Sequence, residues 1–430
     1  MITLSRYLLV GGVLAAGVVG LGQTNSGPSC NVSSPNPPFI RSESAAELIG
    51  DILIECTGGT PTAAGGSVPA YTITLTLNTP VASRVFPYRL SEALLLVDDP
   101  YPAAPNPSLF VPPPLHSGSP QNLCLAVGPN ACPIIATGDP TGNPGGDYDG
   151  ASGHFNVFEG FSSGFNSVTF SGVPIDAPGP SSKLTLRLTN IRANVSQFYP
   201  PQSPYDFHQV TAFVGTVLVS GAPIVDGYPT PGLRVTQTDP APVPGTAYST
   251  LSVTFTEGFA NAFRMWNYLE GAGPQNIPGF AYNSESGLWD SLKAPAGIPA
   301  IGVANHGTRL MLHFSGYPAG IKIIAPAAAY LQDPLSGSNT GALAYVVADA
   351  NGNGPVGPKA SAAKTVMITT DSQGNGWLTY EVVKSDPNTS EAATIPVLIE
   401  SQAAGQVSGS FGPLVASDAT PIPRFVPEQE

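Results

Sequence analysis

Charged side chains are scarce in this chain of 430 residues. Asp, Glu, Lys and Arg make up 10% of it, against about 25% in typical soluble proteins. The 16 Lys and Arg are scattered, and the net charge is −13. Because phosphate recognition needs a basic patch, this composition excludes nucleic acid as a partner and disfavours adsorption on anionic lipid.

Residues that carry common catalytic chemistry are also sparse. The five histidines lie far apart, without the paired spacing of a metalloprotease motif. Residues 160–164 match Gly-x-Ser-x-Gly, but a nucleophile elbow must lead into a helix, and residues 165–170 have the composition of a strand. We therefore predict no catalytic residues and no enzymatic activity.

Long hydrophobic runs are absent except at the N-terminus. Arg6 precedes an apolar run over residues 7–21, and Gly20 and Gly22 provide the small residues that signal peptidase requires before Gln23. The run is shorter than the ~20 residues that span a bilayer. We predict a signal peptide over 1–22, a secreted or cell-surface protein, and no membrane span in the mature chain.

Cysteine is limited to four residues, which in an exported chain favours disulfides over metal binding. Three pairings are possible. Proximity in the sequence favours Cys30 with Cys56 and Cys124 with Cys132. Zinc sites usually contain cysteine pairs two to four residues apart, and neither spacing fits.

Strand patterns dominate what is present. Alternation of apolar and hydroxyl side chains is clearest over 71–78, and Gly and Pro, at 48 and 47 residues, punctuate the chain with turns. We predict an all-β fold of two antiparallel β-sandwich (Ig-like) domains with long Pro/Gly-rich loops, over 28–232 and 246–425, joined by a linker at 233–245. Residues 260–268 are predicted as a short helix or bent strand, and 364–383 as a hairpin.

Two loops are rich in oxygen ligands and could hold calcium, the one cofactor that the sequence suggests. Asp139, Asp147 and Asp149 lie in the first loop, and Asp349 begins the second. Calcium takes six to eight oxygens, but Asp and Asn beside Gly are also the residues that turns prefer. Both interpretations stay open.

Aromatic residues concentrate between positions 259 and 289. Trp266, Tyr268, Tyr282 and Trp289 could form a ligand-binding platform on which sugar rings stack. Clustered aromatic side chains are more often part of a core or an interface. The sequence does not decide between these alternatives.

Several segments together resemble a known protein family. LIGDILIECTGGTPT, SEALLLVDDP, LRLTNIRANVSQ and GTRLMLHFSGYPAGI are similar to a family of uncharacterised secreted β-rich proteins of environmental bacteria. TTDSQGNGWLTYEVV resembles the closing hairpin of bacterial Ig-like modules. The resemblance implies export and β architecture, and no mechanism.

These patterns favour a structural or adhesive protein at the cell surface without catalytic activity. The expected partners are other surface proteins or polysaccharide. A carbohydrate-binding or carbohydrate-active protein is the first alternative. The second is a homo-oligomer, the subunit of an extracellular filament, because uncharged Thr- and Gly-rich strands at sheet edges can pair with other chains.

Overall fold

The computed structural model describes residues 27–98, 121–124, 138, 148–151, 154–198, 208–266, 279, 281–288, 301–302, 304, 306–346, 349–352, 354, 364–400, 405–411, 415–417 and 420–424. The predicted signal peptide lies outside these residues. In the described part, no helix has the length and apolar character needed to cross a membrane.

The first half of the chain forms one sheet of eleven strands, in the order β1-β4-β10-β6-β8-β9-β5-β12-β13-β2, with β7 beside β8. The small pair β3 and β11 lies next to it. These strands are β1 (Ser29–Ser33), β2 (Phe39–Arg41), β3 (Glu47–Leu48), β4 (Ile52–Gly58), β5 (Ala70–Leu77), β6 (Leu90–Val97), β7 (Leu123–Cys124), β8 (Val157–Gly164), β9 (Ser167–Pro174), β10 (Gly179–Thr189), β11 (Arg192–Ala193), β12 (Val210–Gly215) and β13 (Ile224–Thr230).

The second half forms another sheet of eleven strands, in the order β14-β16-β23-β19-β20-β22-β17-β24, to which β15, β18 and β21 attach. A separate pair, β25 and β26, follows it. The strands are β14 (Leu233–Gln237), β15 (Ala241–Pro242), β16 (Ser249–Glu257), β17 (Arg309–Ser315), β18 (Lys322–Pro326), β19 (Ala328–Gln332), β20 (Asn339–Val346), β21 (Thr365–Thr369), β22 (Gly376–Lys384), β23 (Ala392–Ile399), β24 (Gln406–Phe411), β25 (Val415–Ser417) and β26 (Thr420–Arg424).

Each sheet curls around its own apolar core because its strands alternate buried and exposed residues. In β16, Leu251, Val253 and Phe255 are buried, while the residues between them are half-buried. The end strands β14 and β24 lie side by side, since a Cβ built on Gly409 would be 2.8 Å from Val235 Cγ1. The second sheet is therefore a nearly closed barrel, and the all-β prediction is confirmed.

The strands are largely antiparallel, as predicted; in the described residues only β13–β2 and β7–β8 run parallel. The finer Ig-like assignment stays a prediction, because each half is one continuous curved sheet. The segment 233–245, predicted as a linker, carries β14 and β15, which pair with β16. The change from the first sheet to the second thus lies between Thr230 and Leu233.

Residues 364–383 do not form the predicted hairpin. β21 pairs with β18, whereas β22 pairs with β17 and β20. The turn between them has a hydrogen bond from Asp371 N–H to Asn375 O at 2.8 Å. Gly374 has φ +82° and lies so close to Tyr317 that a Cβ would be 1.9 Å from its carbonyl oxygen. This turn sends the chain from one wall of the barrel to another.

The disulfide between Cys30 and Cys56 joins β1 to β4, as predicted. Cys124 is also disulfide-bonded. Cys132 lies outside the described residues, so the second pairing stays a prediction. The first bond ties the N-terminal strand, at the edge of the sheet, to its neighbour.

Candidate functional site

Between β16 and β17, the described residues of the connection 258–308 pack on the outer face of the first sheet. We call this contact the joint. The segment predicted as a helix or bent strand lies in it and, from 260 to 266, consists of turns and bends. An apolar cluster forms one part of the joint and comprises Phe86, Leu90, Leu94, Leu96 and Val157 from the first half, with Leu288 and Ile301 from the connection.

The guanidinium of Arg41, at the end of β2, is the centre of the joint. It donates to Glu47 Oε1 at 2.8 Å from Nε. It also donates to both carboxylate oxygens of Glu285, at 2.8 Å from Nη1 and 3.0 Å from Nη2. Thr308 Oγ1, at 3.0 Å, and Ala262 O, at 3.2 Å, accept further hydrogen bonds from Nη1. Arg41 thus connects the first sheet to three separate positions in the connection.

The side chains of Arg41, Glu47 and Glu285 contact one another, although all three are excluded from water. Arg41, Glu47 and Glu285 are each 1% exposed. Burial alone would lower the pKa of Arg41, but the carboxylates of Glu285 and Glu47 raise it above its ordinary value. Burial opposes the ionisation of Glu285, yet Arg41 holds its pKa below the usual range. Arg41 and Glu285 are therefore ionised, as buried charges can be only when they are paired.

Two further buried arginines extend the contact. Arg192 donates from Nη2 to Glu285 O at 2.7 Å, and its Nε lies 3.3 Å from Glu92 Oε1. Arg187 donates from Nε to Asp51 Oδ2 at 2.8 Å. The opposite oxygen of Asp51 accepts from Tyr282 Oη at 2.7 Å. In each case a residue of the connection contacts an ion pair of the first half. Glu285 contacts the pair formed by Arg192, and Tyr282 contacts the pair formed by Asp51.

Two glycines allow the backbone to approach this closely. A Cβ on Gly287 would be 2.3 Å from Asn190 Oδ1, and one on Gly302 would be 2.4 Å from Leu288 O. Asn190 donates from Nδ2 to Leu288 O at 2.8 Å. Since larger side chains at 287 and 302 would push the connection away, the ion pairs depend on these two positions.

Several carboxyl groups outside the cluster are buried without a cationic partner. Burial raises the pKa of Glu159, in β8, and of Glu257, in β16, to about 8. Neither carboxylate oxygen of Glu159 has a hydrogen-bond partner. Glu257 accepts from the backbone N–H groups of Phe263 and Glu391. These groups hold protons in the folded protein at neutral pH.

The structure describes two of the four aromatic residues predicted to form a ligand platform, Trp266 and Tyr282. Tyr282 is 2% exposed and belongs to the joint. Trp266 is 39% exposed, and its indole N–H donates to Ala304 O. Tyr268 and Trp289 lie outside the described residues. The platform stays a prediction, but Tyr282 serves the interface, which was the alternative interpretation of the cluster.

The predicted calcium ligands are placed in part. Asp139 and Asp147 lie outside the described residues. Asp149 Oδ1 accepts from Ala151 N–H at 2.8 Å and lies 3.0 Å from His154 Nδ1. Asp349 Oδ1 accepts from Asn351 N–H at 2.9 Å in a turn. Over the described part of the chain, no three His, Cys, Asp or Glu side chains are grouped so that they could hold a metal ion.

No motif in the sequence marks the joint, although Arg187 in β10 is one signal of it. Leu184, Leu186 and Leu188 of β10 face the core, so Arg187 occupies the opposite face of a strongly apolar strand. A charge in such a strand suggests that its outer face is covered. The covering residues lie about a hundred positions away in the chain, and no local pattern identifies them.

No family model matches the chain, and no curated protein matches it. The resemblance to a secreted bacterial family therefore stays a prediction, apart from its β-rich architecture. Among solved structures, the chain is similar to the C-terminal domain of the Streptococcus agalactiae AgI/II polypeptide BspA, with 9% identity, a TM-score of 0.30, and coverage of 89% of this chain and 95% of that one.

A second similarity is to the C-terminal domain of AspA, an antigen I/II-family protein of Streptococcus pyogenes. The identity is 8%, the TM-score is 0.27, and the match covers 90% of this chain and 95% of that one. Red sea bream transglutaminase matches with 9% identity and a TM-score of 0.15, over 89% of this chain and 30% of that one. These TM-scores are too low to transfer a role to this chain.

Substitution Arg41→Met should destabilise the protein by about 3–5 kcal/mol, because Glu47 and Glu285 would remain buried without their cation. Urea unfolding of purified protein measures the change. Lys183→Met is the control: Lys183 and Glu55 form an exposed ion pair at 2.6 Å, and such pairs contribute less than about 1 kcal/mol. Equal losses in the two variants would contradict the central position of Arg41.

Stability should decrease as pH rises from 5 to 9. Glu159 has a pKa of about 8 when folded and an ordinary value of 4.5, so the folded state binds the proton more tightly. Its contribution is complete below pH 4.5 and is lost as pH rises through about 8. Glu159→Gln should flatten the dependence of the urea midpoint on pH. Asp371→Asn should not, because backbone hydrogen bonds lower the pKa of Asp371 and keep it ionised over this range. An unchanged slope in Glu159→Gln would refute this assignment.

Proposed function

We propose that the protein is a non-catalytic structural or adhesive protein, exported and held at the cell surface or in the extracellular matrix. The joint is the observation that supports this proposal. Five arginines are less than 2% exposed, although the chain has only 16 Lys and Arg. Four of these, Arg41, Arg187, Arg192 and Arg264, lie at the contact between the two halves rather than on a surface where they could bind a substrate.

The chemistry of the joint suits a protein that transmits tension. To separate the halves, the hydrogen bonds of Arg41 to Glu285, Thr308 and Ala262 must break together with the apolar contacts of the joint. A flexible hinge between two domains has few contacts. The joint, in contrast, combines ion pairs, backbone hydrogen bonds and an apolar cluster. A rigid connection of this kind passes a pulling force from one sheet to the other.

Export is supported by the disulfide between Cys30 and Cys56, because such bonds persist in oxidising compartments. The N-terminal signal predicted from the sequence agrees with it. An uncharged, hydroxyl-rich surface also suits an extracellular location. The expected partners are polysaccharide or other surface proteins.

The proposal can be tested on cells of the host bacterium under flow. We expect protease treatment of intact cells to remove the protein, and a deletion strain to lose attachment to coated surfaces. Complementation with Arg41→Met should restore attachment at rest and not under shear, because the joint separates under load. Complementation with Lys183→Met should restore both. A protein found only inside the cell, or a deletion strain that attaches normally, would exclude the proposal.

A filament subunit is a second candidate, and β21 favours it. In the described residues β21 pairs with one strand only, β18. Its sequence TVMIT has no charge and no proline, and Met367 is 59% exposed. Unprotected edges of this composition add strands from other chains.

Electron microscopy of purified protein decides this candidate. A filament subunit should form fibres, and Met367→Lys, which places a charge at an exposed position of β21, should abolish them. Tyr330→Lys, on β19, is the control substitution at an exposed position. Monodisperse particles at all concentrations would rule out assembly through β21.

A further inference from the structure

The outer face of β8, β9, β5 and β12 differs from the rest of the first sheet because it is exposed and uncharged. These four strands are neighbours in the sheet. β5, β9 and β12 contain no charged residue, and the one carboxyl group of β8, Glu159, is buried. We call this surface the hydroxyl face.

Its centre is a chain of hydroxyl groups from three strands. Thr74 Oγ1 lies 3.0 Å from Thr169 Oγ1. Thr169 donates to Ser163 Oγ at 2.9 Å, and Ser163 donates to Ser167 Oγ at 3.1 Å. Hydroxyl groups both donate and accept, so this chain can exchange hydrogen bonds with a ligand that carries hydroxyls of its own.

Two phenylalanine rings border these hydroxyls. Phe161 is 41% exposed and Phe213 is 44% exposed. The pairing register places Phe161, Thr169, Thr74 and Gly215 in one row across the four strands. The Phe213 ring lies over the end of that row, 3.6 Å from a Cβ built on Gly215. With strands ~4.8 Å apart, the row is roughly 14 Å long.

The combination points to one class of ligand. The two rings are separated by polar groups, so the surface lacks the contiguous apolar patch that binds a protein helix or a lipid. Its one charged neighbour among the described residues is Arg89, at the border over the Phe161 ring. Between the two rings there is no charge, so an ionic ligand would lose its hydration there without compensation. A neutral sugar chain has apolar C–H faces that can stack on both rings and hydroxyls that can pair with the residues between them.

We propose that the hydroxyl face binds a neutral polysaccharide, with Phe161 and Phe213 as stacking residues and Thr74 and Thr169 as hydrogen-bonding residues. The proposal rests on the proposed function, for which it names the ligand. None of these four residues belongs to the aromatic segment 266–289 or to the joint. Arg89, 5.2 Å above the Phe161 ring, packs on that ring at the border of the face.

Affinity electrophoresis of the full-length protein tests the proposal. The gels contain hydroxyethylcellulose, galactomannan or laminarin as neutral probes and alginate as an anionic one. We expect at least one neutral probe to retard the protein, with a retardation that persists in high salt, since no charge is involved. Phe161→Ala and Phe213→Ala should each weaken binding by about tenfold, and Thr169→Val by severalfold.

Tyr330→Ala removes an aromatic ring that is 64% exposed on the second sheet and should leave retardation unchanged. Thermal unfolding confirms that each variant is folded. The proposal is overturned if no neutral probe retards the protein, if only alginate does, or if the double variant Phe161→Ala/Phe213→Ala binds like wild type. Cells that keep protein-dependent attachment despite any of these results would leave the proposed function standing and remove only this site.

Discussion

The ion pairs between Arg41 and the carboxylates of Glu47 and Glu285 constrain the rest of the molecule. A guanidinium that is 1% exposed must have its donors satisfied, so strand β2, the β3 pair and the connection 258–308 have to meet at one point. The glycines that allow close backbone approach and the apolar cluster around Leu94 follow from the same requirement. The two sheets are consequently joined by buried ion pairs, hydrogen bonds and apolar contacts.

The structure changes how the scarcity of charged residues is interpreted. A low fraction of Lys, Arg, Asp and Glu suggests a surface covered by hydroxyls, and that is what β5 and β9 present. The structure adds that several of the few charges are not on the surface at all. Concentrating charge inside the joint leaves faces such as the one around Thr74 and Thr169 free of it, which is what a neutral ligand requires.

Local patterns predicted the strands well because alternation reports burial directly. Residues 71–78 were predicted from alternating Thr and Leu or Ile, and β5 runs from Ala70 to Leu77 with those apolar residues inside. The same reasoning failed at 364–383. Two alternating runs on either side of a turn at 371–376 are typical of a hairpin. β21 and β22 nevertheless pair with other strands, because the two strands belong to different walls of the barrel.

The sequence alone determined the all-β class, most strand positions and the Cys30–Cys56 pairing, since each depends on residues close together in the chain. Only the tertiary structure decided that Tyr282 is an interface residue, that Arg41 meets Glu285 across 244 positions, and that Phe161 and Phe213 border one face. The reason is physical. The alternation of residues in a strand shows which side chains point away from the core, but it does not show whether another segment covers those side chains. The joint is a part of the outer surface that another segment covers, whereas the hydroxyl face is left uncovered. Which surface is covered is decided only when distant segments of the chain come together.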